Sequence, residues 1–285
     1  MNQFSASEAA LEGFRLIRSR PGTMLAWAGV YFLGIMVIGA LMAVALGPRF
    51  AEAMQGSDYT AEKADAVAAM LAESWPAFLL VLLVVMTLMS VIIAGIYRLV
   101  MRPEEPGLAH LRLGRDEFRL TAVNLALFSI GFVCLFAGII ALTMVRETSS
   151  LVSLGLLVVV IGLTAWLGAR LSMVTPMTFA TRRIAFGPAW RLTRGRMWPL
   201  LGMMLLAAIF YVMIWLVISL AGLVVVALAG GSQALEEGHV NAGAVIAGVA
   251  TLVMQFLLYV LQVVMIYAPF AVAYQQLTGQ PVTHR

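Results

Sequence analysis

Charged side chains, lysine and cysteine are all scarce in this sequence. Only 11% of the 285 residues are charged, whereas 62% are hydrophobic. A soluble domain carries about a quarter charged residues, so this balance excludes an ordinary soluble domain and predicts a chain embedded in lipid. The one cysteine, Cys134, lies in an apolar run, which excludes a disulfide framework and a thiolate metal site. Lys63 is the only lysine, an arginine bias typical of GC-rich bacterial genomes.

Residue patterns that indicate catalysis or cofactor binding are also missing. His110, His239 and His284 fall on opposite sides of the predicted membrane, so they cannot form one metal site with Cys134. No glycine-rich phosphate loop follows a strand, and no strand pattern occurs. The net charge of +4 comes from arginines that flank apolar runs, which is typical of topology determinants. We therefore predict a non-enzymatic protein without a cofactor, a metal or a nucleic-acid partner.

Six apolar stretches are long enough to cross a membrane. About 20 helical residues cover the hydrocarbon core of a bilayer, so the sequence predicts an all-α, polytopic transmembrane bundle. A single membrane domain fills residues 1–285. The predicted spans are Thr23–Leu46, Trp75–Val100, Phe118–Met144, Leu151–Thr175, Met197–Ala229 and Ala242–Ala273. The first is too long for the apolar region of a signal peptide, and the last two should tilt, protrude or break.

The distribution of arginine predicts the orientation of the chain. All basic residues except Arg49, Lys63 and Arg146 fall on one side of the predicted spans, and most acidic residues fall on the other. By the positive-inside rule, the arginine-rich side is cytoplasmic. We therefore predict a multi-pass protein of the bacterial inner membrane with both termini in the cytoplasm.

A short motif recurs before the odd-numbered spans. The spacing R-L-x-R occurs at Arg15–Arg18, Arg112–Arg115 and Arg191–Arg194. This recurrence indicates three tandem units, each an amphipathic helix followed by a transmembrane hairpin. Because each unit crosses the membrane twice, all three units would face the same way, unlike the inverted repeats of many transporters.

Amphipathic segments are expected on the cytoplasmic side at 1–22, 101–117 and 176–196. In the first of these, Ser5 and Glu8 fit a capping box. The expected apolar face comprises Ala10, Leu11, Phe14 and Ile17. A further short helix is expected in the outer loop at 47–74, with Ala64, Val67, Met70 and Leu71 on its apolar face.

The paired arginines are candidates for binding lipid. Two arginines three positions apart share one face of a helix, and each contributes about 1 kcal/mol near an anionic leaflet. The candidates for contacting anionic headgroups of the cytoplasmic leaflet are Arg15, Arg18, Arg112, Arg115, Arg191 and Arg194. Positive-inside anchoring alone also accounts for these residues.

Few polar residues lie inside the predicted spans. No Asp or Glu does, which argues against a proton- or cation-coupled carrier. Arg170 either snorkels to the interface or faces a substrate. Pro176 and Pro269 favour helix ends, or else breaks around a cavity. The other intramembrane candidates, more typical of helix–helix hydrogen bonds than of ligands, are Asn124, Gln255 and Gln262.

One segment resembles a known family. Residues 186–195, Phe-Gly-Pro-Ala-Trp-Arg-Leu-Thr-Arg-Gly, lead into an apolar helix. This motif resembles bacterial membrane proteins described as the membrane domain of glycerophosphoryl diester phosphodiesterase, or as YciC-like proteins. The phosphodiesterase's catalytic domain has no counterpart here, so the resemblance implies a helical membrane protein linked to lipid or envelope physiology and not that activity.

Two functions agree with these observations. The protein binds or moves a lipid or another amphiphile, using the interfacial arginines and a cavity near Arg170, Gln262 and Pro269. Alternatively, it is an accessory or scaffold subunit that packs on a larger membrane complex. A lipid-filled cavity would favour the first function, and a stoichiometric membrane-protein partner would favour the second.

Overall fold

The structure, a computed structural model, is built entirely from helices and the turns between them. It describes residues 4–54, 61–105, 108–145, 149–228 and 242–279, and no strand occurs in these ranges. The helices are α1 (Ala6–Ser19), α2 (Pro21–Met54), α3 (Ala61–Met101), α4 (Arg115–Val145), α5 (Ser150–Leu171), α6 (Val174–Thr181), α7 (Phe186–Leu192), α8 (Met197–Leu228) and α9 (Ala242–Thr278), with a 3-10 turn at Leu108–His110. The predicted all-α class is confirmed.

Six segments of the described chain are long and apolar enough to cross a membrane, which confirms the predicted polytopic bundle. They are Pro21–Val44, Ala72–Met101, Arg115–Val145, Ser150–Thr181, Met197–Leu228 and Val245–Thr278. The backbone N–H of Ser5 donates to Oε1 of Gln276 at 3.1 Å. The two ends of the described chain therefore meet at one end of the bundle, as an even number of crossings requires.

Buried residues are concentrated at the same end of the bundle, where Ser5 meets Gln276. We call it the arginine-rich end, because Arg98, Arg102 and Arg182 also lie there. The longest buried stretches are 92–100 of α3 and 258–275 of α9, interrupted by only a few partly exposed positions. The opposite halves of the helices expose large apolar side chains such as Leu151, Leu220 and Leu228. The bundle is thus packed tightly at one end and exposes apolar surface at the other. Lipid tails can cover this surface, because they are as apolar as the side chains of a neighbouring helix.

Helix α1 docks onto the bundle through a face that coincides only in part with the predicted apolar face. The buried residues are Ala9, Ala10, Gly13 and Leu16, whereas Leu11 and Phe14 are exposed. At Gly13, an added Cβ would lie 3.0 Å from the Cα of Met265 in α9. This close backbone approach selects the Gly13 face for the helix contact, even though Phe14 is more apolar.

The start of α1 follows the predicted capping scheme in part. The Ser5 hydroxyl accepts a hydrogen bond from the backbone N–H of Glu8 at 3.4 Å. In a complete capping box the Ser5 backbone N–H would donate to the Glu8 side chain. Here it donates to Gln276, and Nε2 of Gln276 donates to the Glu8 carboxylate at 3.3 Å. The cap therefore joins α1 to the end of α9.

The two prolines do not both mark helix ends. Helix α5 ends at Leu171 and α6 starts at Val174, so Pro176 lies in the first turn of a new helix, where its missing N–H is tolerated. Pro269 lies inside α9, which continues to Thr278, and the predicted helix end there is wrong. Neighbouring helices pack around this turn, which is how helices in a membrane tolerate an interior proline.

The loop after the first span also differs from its prediction. Helix α2 bends at Gly47, whose φ is 52°, and α3 begins at Ala61 and runs without interruption to Met101. The expected short helix is therefore the first part of α3, whose 41 residues extend roughly 60 Å, about twice the thickness of the hydrocarbon core. The predicted apolar face at Ala64, Val67, Met70 and Leu71 lies outside the described side chains.

The segments that precede the three hairpins differ in form. A 14-residue helix, α1, precedes the first, and the described part of 102–114 contains only the 3-10 turn. The segment 176–196 holds most of α6 and the seven residues of α7. Arg112 precedes α4 and Arg194 follows α7, so in these two segments the paired arginines do not lie on one helix. Only Arg15 and Arg18 share a helix.

Candidate functional site

Charged side chains from three parts of the chain gather at the arginine-rich end. They come from the end of α3 with its following loop, the start of α4 and the end of α6. We call this group the charged cluster, and its members are Arg98, Arg102, Glu105, Arg112, Asp116, Glu117, Arg119 and Arg182. Five arginines face three carboxylates, so the cluster carries an excess of positive charge.

The deepest part of the cluster is the pair Arg98–Glu117. Only 1% of the Arg98 side chain and none of the Glu117 side chain is exposed. Arg98 donates from Nη2 to Glu117 Oε1 and from Nη1 to the backbone carbonyl of His110. Its Nε lies 3.4 Å from Glu105 Oε2. A buried charge must be paired in this way, because removal from water is expensive.

The outer part of the cluster has an unusual geometry: three arginines each approach the same two carboxylates. Arg102 lies 3.4 Å from Glu105 and 3.9 Å from Asp116. The corresponding distances for Arg112 are 3.3 and 3.9 Å, and both distances for Arg182 are 4.0 Å. Because Arg102 follows α3, Arg112 precedes α4 and Arg182 follows α6, the carboxylates hold the three segments together.

The loop between α3 and α4 is held in a strained conformation beside the cluster. Ala109 and His110 have φ values of 52° and 60°, in the left-handed region that residues other than glycine rarely adopt. The indole Nε1 of Trp27 donates to the Ala109 carbonyl at 2.8 Å, and Arg98 donates to the carbonyl of His110. Two fully buried side chains therefore stabilise the two strained residues.

His110 has a perturbed titration. Burial lowers the pKa of the imidazole below its ordinary value, and the positive charges of Arg20 and Arg98 lower it further. A hydrogen bond with the Pro103 backbone opposes this effect in part. Since protonation would add a positive charge beside arginines, His110 is neutral at pH 7.

Aromatic and hydroxyl groups connect the cluster to the interior of the bundle. The Arg102 guanidinium lies 4.8 Å from the ring centroid of Phe179 and donates to the carbonyls of Phe179 and Ala180 at 3.3 Å. The Phe179 ring lies 5.7 Å from that of Tyr97. The Tyr97 and Thr175 hydroxyls are hydrogen-bonded at 2.6 Å in a fully buried contact.

Thr175 also lines a cavity of about 310 Å³ between α4, α5, α6, α8 and α9. Most of the wall is apolar, and the break between α5 and α6 contributes the hydroxyls of Ser172 and Thr175. The lining residues are Leu127, Ile130, Gly131, Cys134, Thr164, Leu167, Gly168, Leu171, Ser172, Thr175, Met204, Ile266, Tyr267 and Phe270. A broken helix beside a cavity matches the second of the two meanings that the sequence left open for Pro176.

Arg170 stands apart from this cavity. Its guanidinium lies 5.8 Å from the ring centroid of Trp166 and 5.0 Å from that of Trp190, and Nη1 donates to the Trp190 carbonyl at 3.3 Å. The backbone carbonyl of Arg170 accepts from the Thr193 hydroxyl at 3.2 Å. Arg170 therefore joins α5 to α7 and the turn that follows it.

The other candidates from the sequence are dispersed. The six paired arginines are all exposed, and among them Arg112 belongs to the charged cluster. Asn124 donates to the Ser90 hydroxyl at 2.8 Å, a buried hydrogen bond between α4 and α3. Gln255 is exposed on α9, and Gln262 is partly buried. The cavity reaches Phe270, next to Pro269, but includes neither Arg170 nor Gln262 in its lining.

The sequence interpretation missed the charged cluster. It started the third span at Phe118, whereas α4 begins at Arg115, so Asp116 and Glu117 lie in the first turn of an apolar helix. A signal was present, because two acidic residues directly before an apolar run stabilise the positive end of a helix dipole. The partners Arg98, Glu105 and Arg182 have no such signal, since they meet only through the fold.

No family model, curated protein or solved structure matches the chain. The resemblance of residues 186–195 to a known family thus stays a prediction.

Proposed function

We propose that this protein binds a membrane amphiphile and holds its apolar chain in the cavity between α4, α5, α8 and α9. The observation that carries this proposal is the cavity itself, about 310 Å³ in volume and lined mainly by apolar groups. An apolar cavity of about 150 Å³ is enough to bind benzene. A cavity twice as large accommodates a segment of acyl chain.

Two glycines support a binding role for this space. A Cβ added at Gly131 or Gly168 would meet nothing within 4 Å, so the cavity has room where a larger side chain would fill it. Both glycines are exposed, so the cavity opens to the surface of the bundle, where a lipid chain can enter it.

The charge distribution supports a location and an orientation. The described arginines are concentrated at one end of the bundle, and both ends of the described chain meet there. By the positive-inside rule we place this end in the cytoplasm and the protein in a bacterial inner membrane. The proposed role is binding or transfer of the amphiphile, without chemistry on it.

The test uses two glycine substitutions in α5. Gly168→Leu places a side chain in the cavity, whereas Gly162→Leu places the same side chain outside it, and neither Cβ meets an atom within 4 Å. Both changes improve helix propensity, so the variants should fold. We expect native mass spectrometry in mild detergent containing phosphatidylglycerol to show one retained lipid in the wild type and Gly162→Leu, and none in Gly168→Leu.

Cys134 offers an independent readout, because the only cysteine of the chain lines the cavity. Added phosphatidylglycerol should slow its alkylation by N-ethylmaleimide in Gly162→Leu and not in Gly168→Leu. Equal lipid retention and equal alkylation rates in the two variants would refute the proposal. Retention of a stoichiometric protein partner without lipid would favour the accessory-subunit function instead.

A further inference from the structure

Two arginines of the charged cluster face outward while they approach the same carboxylate oxygen. Arg112 Nη2 and Arg182 Nε lie 3.9 and 4.0 Å from Oδ2 of Asp116. Their side chains are 45% and 59% exposed. Two guanidiniums are therefore held close together at the surface by shared carboxylates, although like charges repel each other.

The cluster neutralises these two charges only in part, because Arg102, Arg112 and Arg182 share the carboxylates of Glu105 and Asp116. The Glu117 carboxylate is occupied by Arg98, and Asp116 is bonded most closely to Arg119, at 2.7 Å. With five arginines and three carboxylates, the cluster holds two positive charges in excess. Each guanidinium has five N–H donors, and contacts near 4 Å leave most donors of Arg182 available to an anion.

The backbone conformation of Arg182 also supports a role for its side chain. Arg182 ends α6 in the left-handed conformation, with φ of 55° and ψ of 29°, at a position where helices favour glycine. An arginine there is strained by roughly 1 kcal/mol relative to glycine. The chain nevertheless has an arginine at this position, and its guanidinium reaches Glu105 and Asp116.

The cluster and the cavity adjoin the same helix. Thr175, near the start of α6, lines the cavity, and Arg182 ends α6 at the cluster. Between them, Phe179 lies beneath the Arg102 guanidinium. An eight-residue helix is about 12 Å long, so an amphiphile is long enough to reach both the cavity and the surface arginines.

From this geometry we infer that Arg112 and Arg182 bind the anionic phosphate headgroup of the amphiphile whose chain occupies the cavity. Arginine suits this role because its planar donors match phosphate oxygens in pairs. The inference rests on the proposed function, and it adds the class of ligand: a lipid with a net anionic phosphate group. The same two arginines would also bind free phosphate, so the experiment separates the two sources.

The experiment measures lipid binding to the full chain in mild detergent, using phosphatidylglycerol and phosphatidylcholine with identical acyl chains. The variants are Arg112→Gln and Arg182→Gly, and the control is Arg183→Gln, a neighbouring exposed arginine that is not part of the cluster. We expect the wild type and the control to prefer phosphatidylglycerol, and each variant to lose about tenfold in that preference. Binding of phosphatidylcholine should not change.

Arg182→Gly keeps the inference testable apart from folding, because glycine relieves the left-handed backbone while the guanidinium is lost. Its melting temperature should equal or exceed that of the wild type. An unchanged preference for phosphatidylglycerol in this variant would overturn the inference, as would an equal loss in Arg183→Gln, which would indicate attraction without a defined site.

Two further outcomes distinguish headgroup binding at Arg112 and Arg182 from binding of the apolar chain in the cavity. If Gly168→Leu abolishes binding of both lipids and the wild type shows no headgroup preference, the inference fails and the proposed function stands. If inorganic phosphate alone stabilises the wild type but not Arg182→Gly, and neither lipid binds, the anion site stands and the proposed chain site fails.

Discussion

The guanidinium of Arg98 at the end of α3 donates to the carboxylate of Glu117 in the first turn of α4, and solvent reaches neither group. This contact crosses a loop that contains the two strained residues Ala109 and His110. Arg98 also bonds the carbonyl of His110, so one side chain holds both the loop and the next helix. The charged cluster is built outward from this pair.

We expect Arg98→Met and Glu117→Leu each to lower the free energy of unfolding by about 3–5 kcal/mol, because each leaves an uncompensated buried charge. The double variant should lose less than the sum, since neither charge of the pair is left without its partner. The measurement is a double-mutant cycle on the thermal unfolding of the full chain in detergent. Additive losses would contradict the pairing.

We expect Gly13→Ala to loosen α1 from the bundle. The added Cβ would lie 2.9 Å from Met265 Sδ and 3.0 Å from its Cα, and overpacking of this kind costs about 1–3 kcal/mol. Amide hydrogen exchange over Ala6–Ser19 should become faster. The control is Gly22→Ala, where the Cβ meets nothing within 4 Å; its exchange should match the wild type. Because alanine favours a helix over glycine, slower exchange in Gly13→Ala would contradict the close contact.

We expect Arg170→Lys to weaken the docking of α7. Lysine keeps the charge but not the planar group that lies near the rings of Trp166 and Trp190, a loss of about 1 kcal/mol. Hydrogen exchange in Phe186–Leu192 should rise severalfold. The same substitution at Arg191, an exposed residue of α7, is the matched control and should have no effect. Equal exchange in both variants would show that charge alone suffices.

We expect acidification through about pH 6.5 to destabilise the loop that holds His110. Its pKa is lowered in the folded protein by burial and by Arg20 and Arg98, so the unfolded chain binds the proton more strongly. Stability is therefore present above the ordinary histidine pKa of about 6.5 and falls as the pH decreases toward the lowered value.

The measurement is the melting temperature of the wild type and of His110→Gln between pH 7.5 and 5.5. The wild type should lose more stability than the variant over this range. The same pH dependence in both proteins would assign the effect to another group.

The six spans were predictable because they depend only on the length of the apolar runs in the sequence. The bends and breaks it did not locate are those set by contacts: α5 ends at Leu171, while α9 continues through Pro269. The capping role of Ser5 was predictable because it is local, whereas its bond to Gln276 joins residues at opposite ends of the chain. A cavity was expected near Arg170, Gln262 and Pro269, but only Pro269 adjoins its lining, because the walls depend on how α4 and α5 lie against α8 and α9.

The sequence by itself determined that the chain is a bundle of membrane-spanning helices, because a run of apolar residues in lipid must satisfy its backbone hydrogen bonds internally. It also determined that positive charge concentrates at one end. Only the tertiary structure decided which arginines are exposed at the surface and which, like Arg98, are buried against a carboxylate. The reason is that a charge near a helix end is stable either in water or in a pair, and the partner, Glu117, is brought into reach only when α3 and α4 pack together.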